Sequence, residues 1–210
     1  GLAKINYDCK PSLISIVKDV RKQDFKGPLL LRFPHITEKQ INTLYNTFNA
    51  SIREYDYKGT FSAVFPLKVN QLPNFIHPLI NCGKIFNYGL EAGSKAELVI
   101  AMTYNNIGAP ITVNGFKDKE MIHLCFIAKN MGHNITIIIE GLNELEMIIE
   151  VLNETKLACP NIGLRVRLHS GGSGMWAKSG GINSKFGLTS TEILEAYELM
   201  EDNNLVKHLT

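Results

Sequence analysis

From residue 61 onward, short runs of β-branched and aromatic residues alternate with stretches in which apolar residues recur every three or four positions. The first kind of run predicts a buried β-strand, and the second predicts an amphipathic helix. Strands that alternate with helices form βαβ units, so the sequence predicts an α/β fold with a parallel sheet. The predicted strands cover Phe61–Lys68, Ile85–Glu91, Pro110–Asn114, Ile135–Glu140 and Ile162–Leu168.

Each predicted strand carries a polar or charged side chain at or near its carboxyl end. In a (β/α)8 barrel these ends open on one face, where the active site is built. An open, doubly wound sheet also alternates strands and helices, and its site would lie at a switch point. We favour a partial (β/α)8 TIM-type barrel of about five βα units, because every predicted strand carries near its end a side chain that could serve in an active site. The residues are Lys68, Glu91, Asn114, Glu140 and Arg165, spaced 23 to 26 positions apart.

Residues 1–60 do not follow this repeat and are predicted to be a lead-in segment that packs on the barrel. They contain a first amphipathic helix, a short strand over Leu29–Phe33 and a longer helix capped by Thr37. Residues 61–210 would then hold the first five βα units. A complete barrel typically needs about 250 residues, so we expect its C-terminal units to be absent.

Composition and charge exclude several classes of partner. Hydrophobic residues make up 45% of the chain and charged residues 20%, and the formal net charge is +2. These values predict a globular domain without a nucleic-acid or membrane partner. The four cysteines lie far apart, which predicts reduced thiols and a cytoplasmic location. The histidines lack the spacing of a zinc site.

Lys68 ends an apolar run, which leaves two interpretations of its amine. It could mark the exit of the strand into solvent, with Glu91 as a simple ion-pair partner. Alternatively it could be a Schiff-base nucleophile that Glu91 orients. Glu91 and Glu140 could also form a general acid and base, as in glycosidases, although that chemistry does not need a lysine.

A glycine-rich loop follows the fifth predicted strand, over Gly171–Ala177 and Ser179–Gly181. It formally fits a dinucleotide-binding fingerprint, but the residues after it are not an apolar helix start, so we reject that interpretation. The loop is interpreted as a mobile lid or an oligomer contact.

A set of motifs occurs along the chain in the order found in a known family. The motifs are Pro66–Gln71, Gly89–Lys95, Val113–Asp118, Gly163–Leu168, Gly172–Trp176, and Ser179–Gly181 with Ser184–Leu188. With them the chain closely resembles the biosynthetic arginine decarboxylases of bacteria, which are pyridoxal-phosphate enzymes of the alanine-racemase-like barrel class. The resemblance covers essentially the whole chain, and its last two motifs separate this group from ornithine and diaminopimelate decarboxylases.

The resemblance implies a role for the strand-end residues. Lys68 would form a Schiff base with pyridoxal phosphate, and Glu91 would take the place of the family acid near that lysine. Arg165 would lie under the cofactor, close to its phosphate side. Lys185 would lie near a dimer interface. Two further candidates for the site or an interface are Asn114 and Glu140.

The implied activity is the decarboxylation of L-arginine to agmatine in polyamine and spermidine biosynthesis, by a cytoplasmic homo-oligomer. Mg²⁺ is left open as a further ligand. The family's sixth-strand histidine element and its C-terminal β domain are not found up to Thr210. We therefore expect an N-terminal part of such an enzyme that is inactive alone.

Four other functions remain open at the level of sequence. The chain could belong to a decarboxylase of ornithine, lysine or diaminopimelate. It could be a non-catalytic pyridoxal-phosphate-binding barrel, or a Schiff-base aldolase, which also needs a buried lysine with acids nearby. It could also serve only in assembly, through exposed edge strands.

Overall fold

The structure is a computed structural model that describes residues 11–168 and 186–210. It divides into two compact units, Gly1–Phe33 and Pro34–Thr210. In the first unit, helix α1 spans Leu13–Lys22, and the Ser12 hydroxyl accepts a hydrogen bond from the Ser15 amide at 3.1 Å.

The predicted strand over Leu29–Phe33 is wrong, because these residues form no regular secondary structure. A strand needs a neighbour that pairs with its backbone, and the sheet of the described residues contains no strand from this region. Prolines at both ends of the run, Pro28 and Pro34, also lack the N–H donor of a ladder.

The second unit begins with a long helix and continues as alternating strands and helices. Single turns of 3₁₀ helix cover Leu67–Val69, Lys84–Phe86 and Val206–His208. The helices are α2 (Pro34–Glu54), α3 (Pro73–Gly83), α4 (Lys95–Tyr104), α5 (Lys119–Asn130), α6 (Leu142–Glu154) and α7 (Ser190–Asp202). The strands are β1 (Val64–Pro66), β2 (Gly89–Ala92), β3 (Pro110–Val113), β4 (Asn134–Ile139) and β5 (Asn161–Leu164).

All neighbouring strands pair in parallel, in the order β1-β2-β3-β4-β5. This confirms the predicted parallel α/β architecture. The strand order never reverses, as it would at the switch point of a doubly wound sheet, and a barrel needs such an unbroken succession. At the edge, Leu209 forms a parallel bridge to Ile162, and the Thr210 amide donates to the Ile162 carbonyl at 3.0 Å.

Alternate residues of the strands lie on opposite faces of the sheet. On β4 one face carries the fully buried Ile135, Ile137 and Ile139, whereas residues 134, 136 and 138 are only partly buried. This difference follows from the period of two in a strand. The fully buried face packs against the helices, as the contacts of β4 with α5 and α6 show.

Helix α2, which the sequence assigns to the lead-in, belongs to the same compact unit as the sheet. Its Tyr45 is buried, and the phenol oxygen accepts a hydrogen bond from the Ala63 amide at 3.2 Å. The Tyr45 ring also stacks on Phe86 at a centroid distance of 4.4 Å. The packing of residues 1–33 on the barrel stays a prediction. Over the described part of the chain, no helix has the length and apolar character needed to cross a membrane.

Candidate cofactor and active site

A cleft of about 900 Å³ lies at the carboxyl ends of the strands. The structure brings four of the predicted site residues to its walls, Lys68, Glu91, Asn114 and Arg165. The fifth, Glu140, is hydrogen-bonded to the Arg165 guanidinium behind the cleft. Parallel strands of one sheet end on one side, which explains why residues more than 20 positions apart in sequence meet here. The other lining residues are Gly93, Glu97, Thr112, Gly115, Ile138 and Phe186.

Lys68 lies two residues beyond the end of the strand that was predicted to end on it. Strand β1 ends at Pro66, and Lys68 occupies the 3₁₀ turn Leu67–Val69. The preceding Leu67 is fully buried and anchors the turn, whereas Lys68 is exposed. Within the described residues Lys68 forms no ion pair, so the structure does not show the simple Lys68–Glu91 pair. Lys68 therefore lines the cleft, and its amine has no ion-pair partner in the part of the chain that the structure describes.

Glu91 is buried on β2 and has one satisfied and one unsatisfied oxygen. Its Oε1 accepts a hydrogen bond from Asn114 Nδ2 at 3.0 Å. Its Oε2 is buried and has no hydrogen-bond partner among the described residues. A buried carboxylate oxygen without a donor costs free energy, so this atom is suited to accept a donor from a ligand.

Arg165 is held at the cleft by a buried carboxylate and an aromatic ring. Its Nη1 donates to both carboxylate oxygens of Glu140, at 3.0 Å each. The Glu140 side chain is fully buried and that of Arg165 is 45% exposed. The guanidinium carbon lies 5.2 Å from the centroid of the Phe186 ring, a cation–π contact. The guanidinium still has N–H groups to offer to an anion in the cleft.

Sequence reasoning missed two buried glutamates, Glu97, which lines the cleft, and Glu144, which lies behind it. Glu97 Oε2 accepts from the Gly93 amide at 2.7 Å, and its Oε1 accepts from Gln71 Nε2 at 3.0 Å. Each glutamate is the third residue of its helix, α4 or α6. That position was a usable signal, because a glutamate there often bonds backbone amides at the helix start.

A surface ion pair fixes the starts of two successive helices next to the site. Lys95 Nζ lies 2.7 Å from Asp118 and 2.6 Å from Glu120. The hydrogen bond from Lys95 lowers the pKa of Asp118, and the same contact raises the pKa of Lys95. Asp118 is also the N-cap of α5, where its side chain accepts from the Met121 amide. These contacts join α4 to α5 at the end of the barrel that carries the cleft.

Lys185 and the glycine-rich loop over residues 171–181 lie outside the described residues. Among residues 11–168 and 186–210, no group of three or more His, Cys, Asp or Glu side chains could hold a metal ion. The cleft thus combines an amine, a guanidinium and a carboxylate with a free acceptor oxygen. This set suits a ligand that carries a carbonyl group and an anionic group.

Comparison with known families gives a match over most of the chain. The family described as pyridoxal-dependent decarboxylase, pyridoxal binding domain, matches residues 39–208. The chain is 41% identical to the biosynthetic arginine decarboxylase of Bacteroides thetaiotaomicron over 194 residues, 92% of this chain and 31% of that protein. It is 39% identical to that of Tolumonas auensis over 201 residues, 95% and 32% of the two chains. The chain spans about a third of the length of these curated relatives.

Solved structures of related decarboxylases also match the chain. The biosynthetic arginine decarboxylase from Campylobacter jejuni superposes with a TM-score of 0.88 and 58% identity, over 98% of this chain and 32% of that one. A diaminopimelate decarboxylase from Helicobacter pylori, at 18% identity and a TM-score of 0.65 over 91% and 44% of the two chains, shares the fold. These findings confirm the resemblance inferred from the motifs and the prediction of a partial (β/α)8-type barrel.

Proposed function

The chain belongs to the pyridoxal-dependent decarboxylases and contains their pyridoxal binding domain, and from this we propose that it supplies part of the active site of an L-arginine decarboxylase. The reaction converts L-arginine and a proton into agmatine and carbon dioxide. The observation that carries the proposal is that one cleft is lined by Lys68, Arg165 and Glu91, while Glu91 Oε2 has no hydrogen-bond partner and Lys68 no ion-pair partner among the described residues.

The residues of the cleft fit pyridoxal phosphate. The ligand has an aldehyde that an amine can attack and a phosphate that a guanidinium can bind, and the exposed Lys68 and half-exposed Arg165 offer these two groups. The buried Glu91 oxygen offers an acceptor for a donor on the ligand or substrate. The cleft volume of about 900 Å³ lies in the range of small-molecule sites.

In this proposal the protein residues bind the cofactor, orient the groups around it and hold its anionic group. Lys68 would bind the cofactor covalently, and Arg165, fixed by Glu140, would hold an anionic group. Glu91, fixed by Asn114, would orient the groups beside Lys68. When bound, pyridoxal phosphate takes up the electron pair left by the departing carboxylate.

The preference for L-arginine rests on the relatives. Chains named biosynthetic arginine decarboxylase match almost the whole sequence at 37 to 58% identity. The diaminopimelate and lysine/ornithine decarboxylase structures match at 18 to 21%, a level that supports the fold alone. We extend the proposal to polyamine biosynthesis, a cytoplasmic location and a homo-oligomer with Lys185 near its interface. Mg²⁺ is not part of the proposal.

The test uses the full-length native protein, incubated with pyridoxal phosphate and separately with L-arginine, ornithine, lysine or diaminopimelate. We expect carbon dioxide and agmatine from L-arginine, and turnover of the other amino acids at least about 100-fold slower, since a site built to bind a polar group rejects analogues that lack it. Faster turnover of another amino acid would assign the protein to that substrate instead.

The Lys68→Ala variant tests the assignment of the lysine. We expect it to lose both agmatine formation and the visible absorbance that a lysine-bound pyridoxal phosphate gives. Lys119→Ala is the matched control, because Lys119 pairs with Glu150 and Glu154 on the helical surface. Full activity in Lys68→Ala, or cleavage of an aldol substrate without the visible absorbance, would contradict the proposal. The 210-residue chain alone is predicted to form no agmatine.

A further inference from the structure

Lys117 and Glu144 form an ion pair that is almost completely removed from solvent. The Lys117 Nζ lies 3.0 Å from Glu144 Oε2, and the two side chains are 0% and 1% exposed. Burying two charges is unfavourable unless their remaining hydrogen-bonding capacity is also satisfied. Core packing alone therefore does not explain why this charged pair is buried behind the cleft.

The Glu144 carboxylate meets that condition by holding two loops at once. Its Oε1 accepts from the Lys117 amide at 3.0 Å, in the loop between β3 and α5. Its Oε2 accepts from the Glu140 amide at 2.8 Å, in the loop between β4 and α6. The side chain thus joins two successive loops at the end of the barrel where the cleft lies.

The contacts close into a ring through Gly115. Lys117 Nζ also donates to the Gly115 carbonyl oxygen, and the Gly115 amide donates to Glu140 Oε1 at 2.9 Å. Gly115 has a φ of +75°, a conformation that favours glycine. Glu140 is therefore fixed at its backbone by Glu144 and at its carboxylate by Gly115. The same carboxylate binds Arg165 at the cleft.

We infer that Glu144 is a positioning residue, which with Lys117 locks the two loops together and so fixes Glu140 and, through it, Arg165. The inference rests on the proposed function for the ligand that Arg165 holds, but the locking of the loops does not depend on that ligand. Glu144 touches neither Arg165 nor the cleft. Its effect on a ligand must therefore pass through the residues that it holds, directly through Glu140 and, by way of Lys117, through Gly115, which lines the cleft.

Glu144→Gln is the variant that tests the inference most directly. Both oxygens of Glu144 accept backbone N–H groups, and a glutamine amide has only one acceptor, so its NH₂ group would face a donor. Glu192→Gln is the matched control. Glu192 is also the third residue of its helix, but among residues 11–168 and 186–210 its carboxylate accepts hydrogen bonds only from the Thr189 amide and hydroxyl, in a local capping box.

The first readout is amide hydrogen exchange in the full-length protein without added ligand. Glu144→Gln is expected to speed exchange at the Lys117 and Glu140 amides at least about tenfold, since both lose or weaken their acceptor. Glu192→Gln should leave these two amides unchanged. Unchanged protection in Glu144→Gln would overturn the inference, whatever the protein binds.

The second readout is the dissociation constant of pyridoxal phosphate, measured by absorbance titration in a double-mutant cycle with Arg165→Ala. Glu144→Gln should raise this constant about tenfold in the wild-type background and less than about twofold in the Arg165→Ala background, because residues that act through one another are not additive. Equal factors in both backgrounds would show a merely structural role and would overturn the inference. A wild-type protein that binds no pyridoxal phosphate would instead contradict the proposed function, and the exchange result would still decide the loop contact.

Should Glu144→Gln fail to fold, Lys117→Gln replaces it. This variant removes the buried ammonium but keeps both backbone bonds to Glu144, so we expect a smaller rise in the dissociation constant, about threefold. The rise should again vanish in the Arg165→Ala background. No rise, or one that persists there, would overturn the inference.

Discussion

Arg165 binds Glu140 through a single nitrogen, with Nη1 lying 3.0 Å from each of the two carboxylate oxygens. The carboxylate is fully buried and the guanidinium is 45% exposed, so the pair has one fixed and one accessible end. Glu140 directly follows β4, and Arg165 directly follows β5. Because β4 and β5 pair in a fixed register, this contact holds the Arg165 guanidinium at a defined position at the cleft.

Glu140→Gln should weaken the hold on Arg165. A glutamine amide has one acceptor oxygen in place of two. In the wild type the Gly115 amide donates to one carboxylate oxygen and Arg165 Nη1 donates to both, so the glutamine loses at least one of these hydrogen bonds. We expect the dissociation constant of pyridoxal phosphate to rise about tenfold, which corresponds to about 1.4 kcal/mol. Absorbance titration of the full-length protein measures it. Glu146→Gln, an exposed change on α6, is the control, and equal constants for the two variants would contradict the prediction.

Glu91→Gln should affect stability and binding in opposite directions. The amide oxygen keeps the hydrogen bond from Asn114, and the change removes a buried carboxylate oxygen that has no donor. Without ligand we expect the free energy of unfolding to be equal or higher by up to about 1 kcal/mol, while pyridoxal phosphate binds more weakly. Urea unfolding and absorbance titration measure the two effects. A variant that loses stability without ligand would contradict this view of Glu91.

Glu97 should tolerate an amide although it is buried. A glutamine oxygen can still accept from the Gly93 amide, and its NH₂ group can donate to Gln71 once that side chain turns over. We expect Glu97→Gln to change the free energy of unfolding by less than about 0.5 kcal/mol, and Glu97→Ala to lower it by about 1–3 kcal/mol. Urea unfolding of both variants gives the comparison. A glutamine variant as unstable as the alanine variant would show that the charge itself is needed.

The parallel sheet and the meeting of Lys68, Glu91, Asn114 and Arg165 were predictable from sequence, because strand ends of a parallel sheet share one side. Local pattern was less reliable at a helix start. Thr37 was predicted to cap the longer helix, but α2 begins at Pro34, so Thr37 lies inside it.

The buried network behind the cleft was not predictable in the same way. In sequence, Glu97, Glu144 and Glu192 are all acidic residues in the first turn of a helix. The packing of neighbouring βα units turns Glu97 and Glu144 inward, where they also accept hydrogen bonds from the loops that hold Gln71 and Lys117. Glu192 instead takes part in the cap of its own helix. Likewise, Leu29–Phe33 has the composition of a strand, and a strand forms only where a neighbouring strand is available to pair with it.

The cysteines should differ in reactivity. Burial raises the pKa of Cys125 to about 12 and that of Cys159 to about 11. Cys82 is less buried, although its pKa is raised as well. Because the thiolate is the reactive form, iodoacetamide at pH 8 should label Cys82 first and Cys125 last among the three cysteines that the structure describes. Peptide mapping measures the rates, and urea should remove the difference. Rapid labelling of native Cys125 would contradict the described burial.

Acid should destabilise the protein partly through His133. This side chain is 5% exposed, its Nδ1 has no hydrogen-bond partner in the described part of the chain, and burial lowers its pKa. Below the unfolded pKa of about 6.5, the unfolded chain therefore binds a proton more readily than the folded one. Stability conferred by the neutral imidazole is complete above that pH and is lost as the pH falls toward the folded pKa.

Urea unfolding between pH 7.5 and pH 5 measures this dependence, and His133→Leu should reduce its slope by up to about 1.4 kcal/mol per pH unit, the value for one proton. The pKa of His208 is also lowered, chiefly by burial, so the wild-type slope contains a contribution from both histidines. The comparison of slopes isolates His133 even if the substitution changes the stability at pH 7.5. Identical slopes in the two proteins would show that His133 takes up its proton equally well in the folded state.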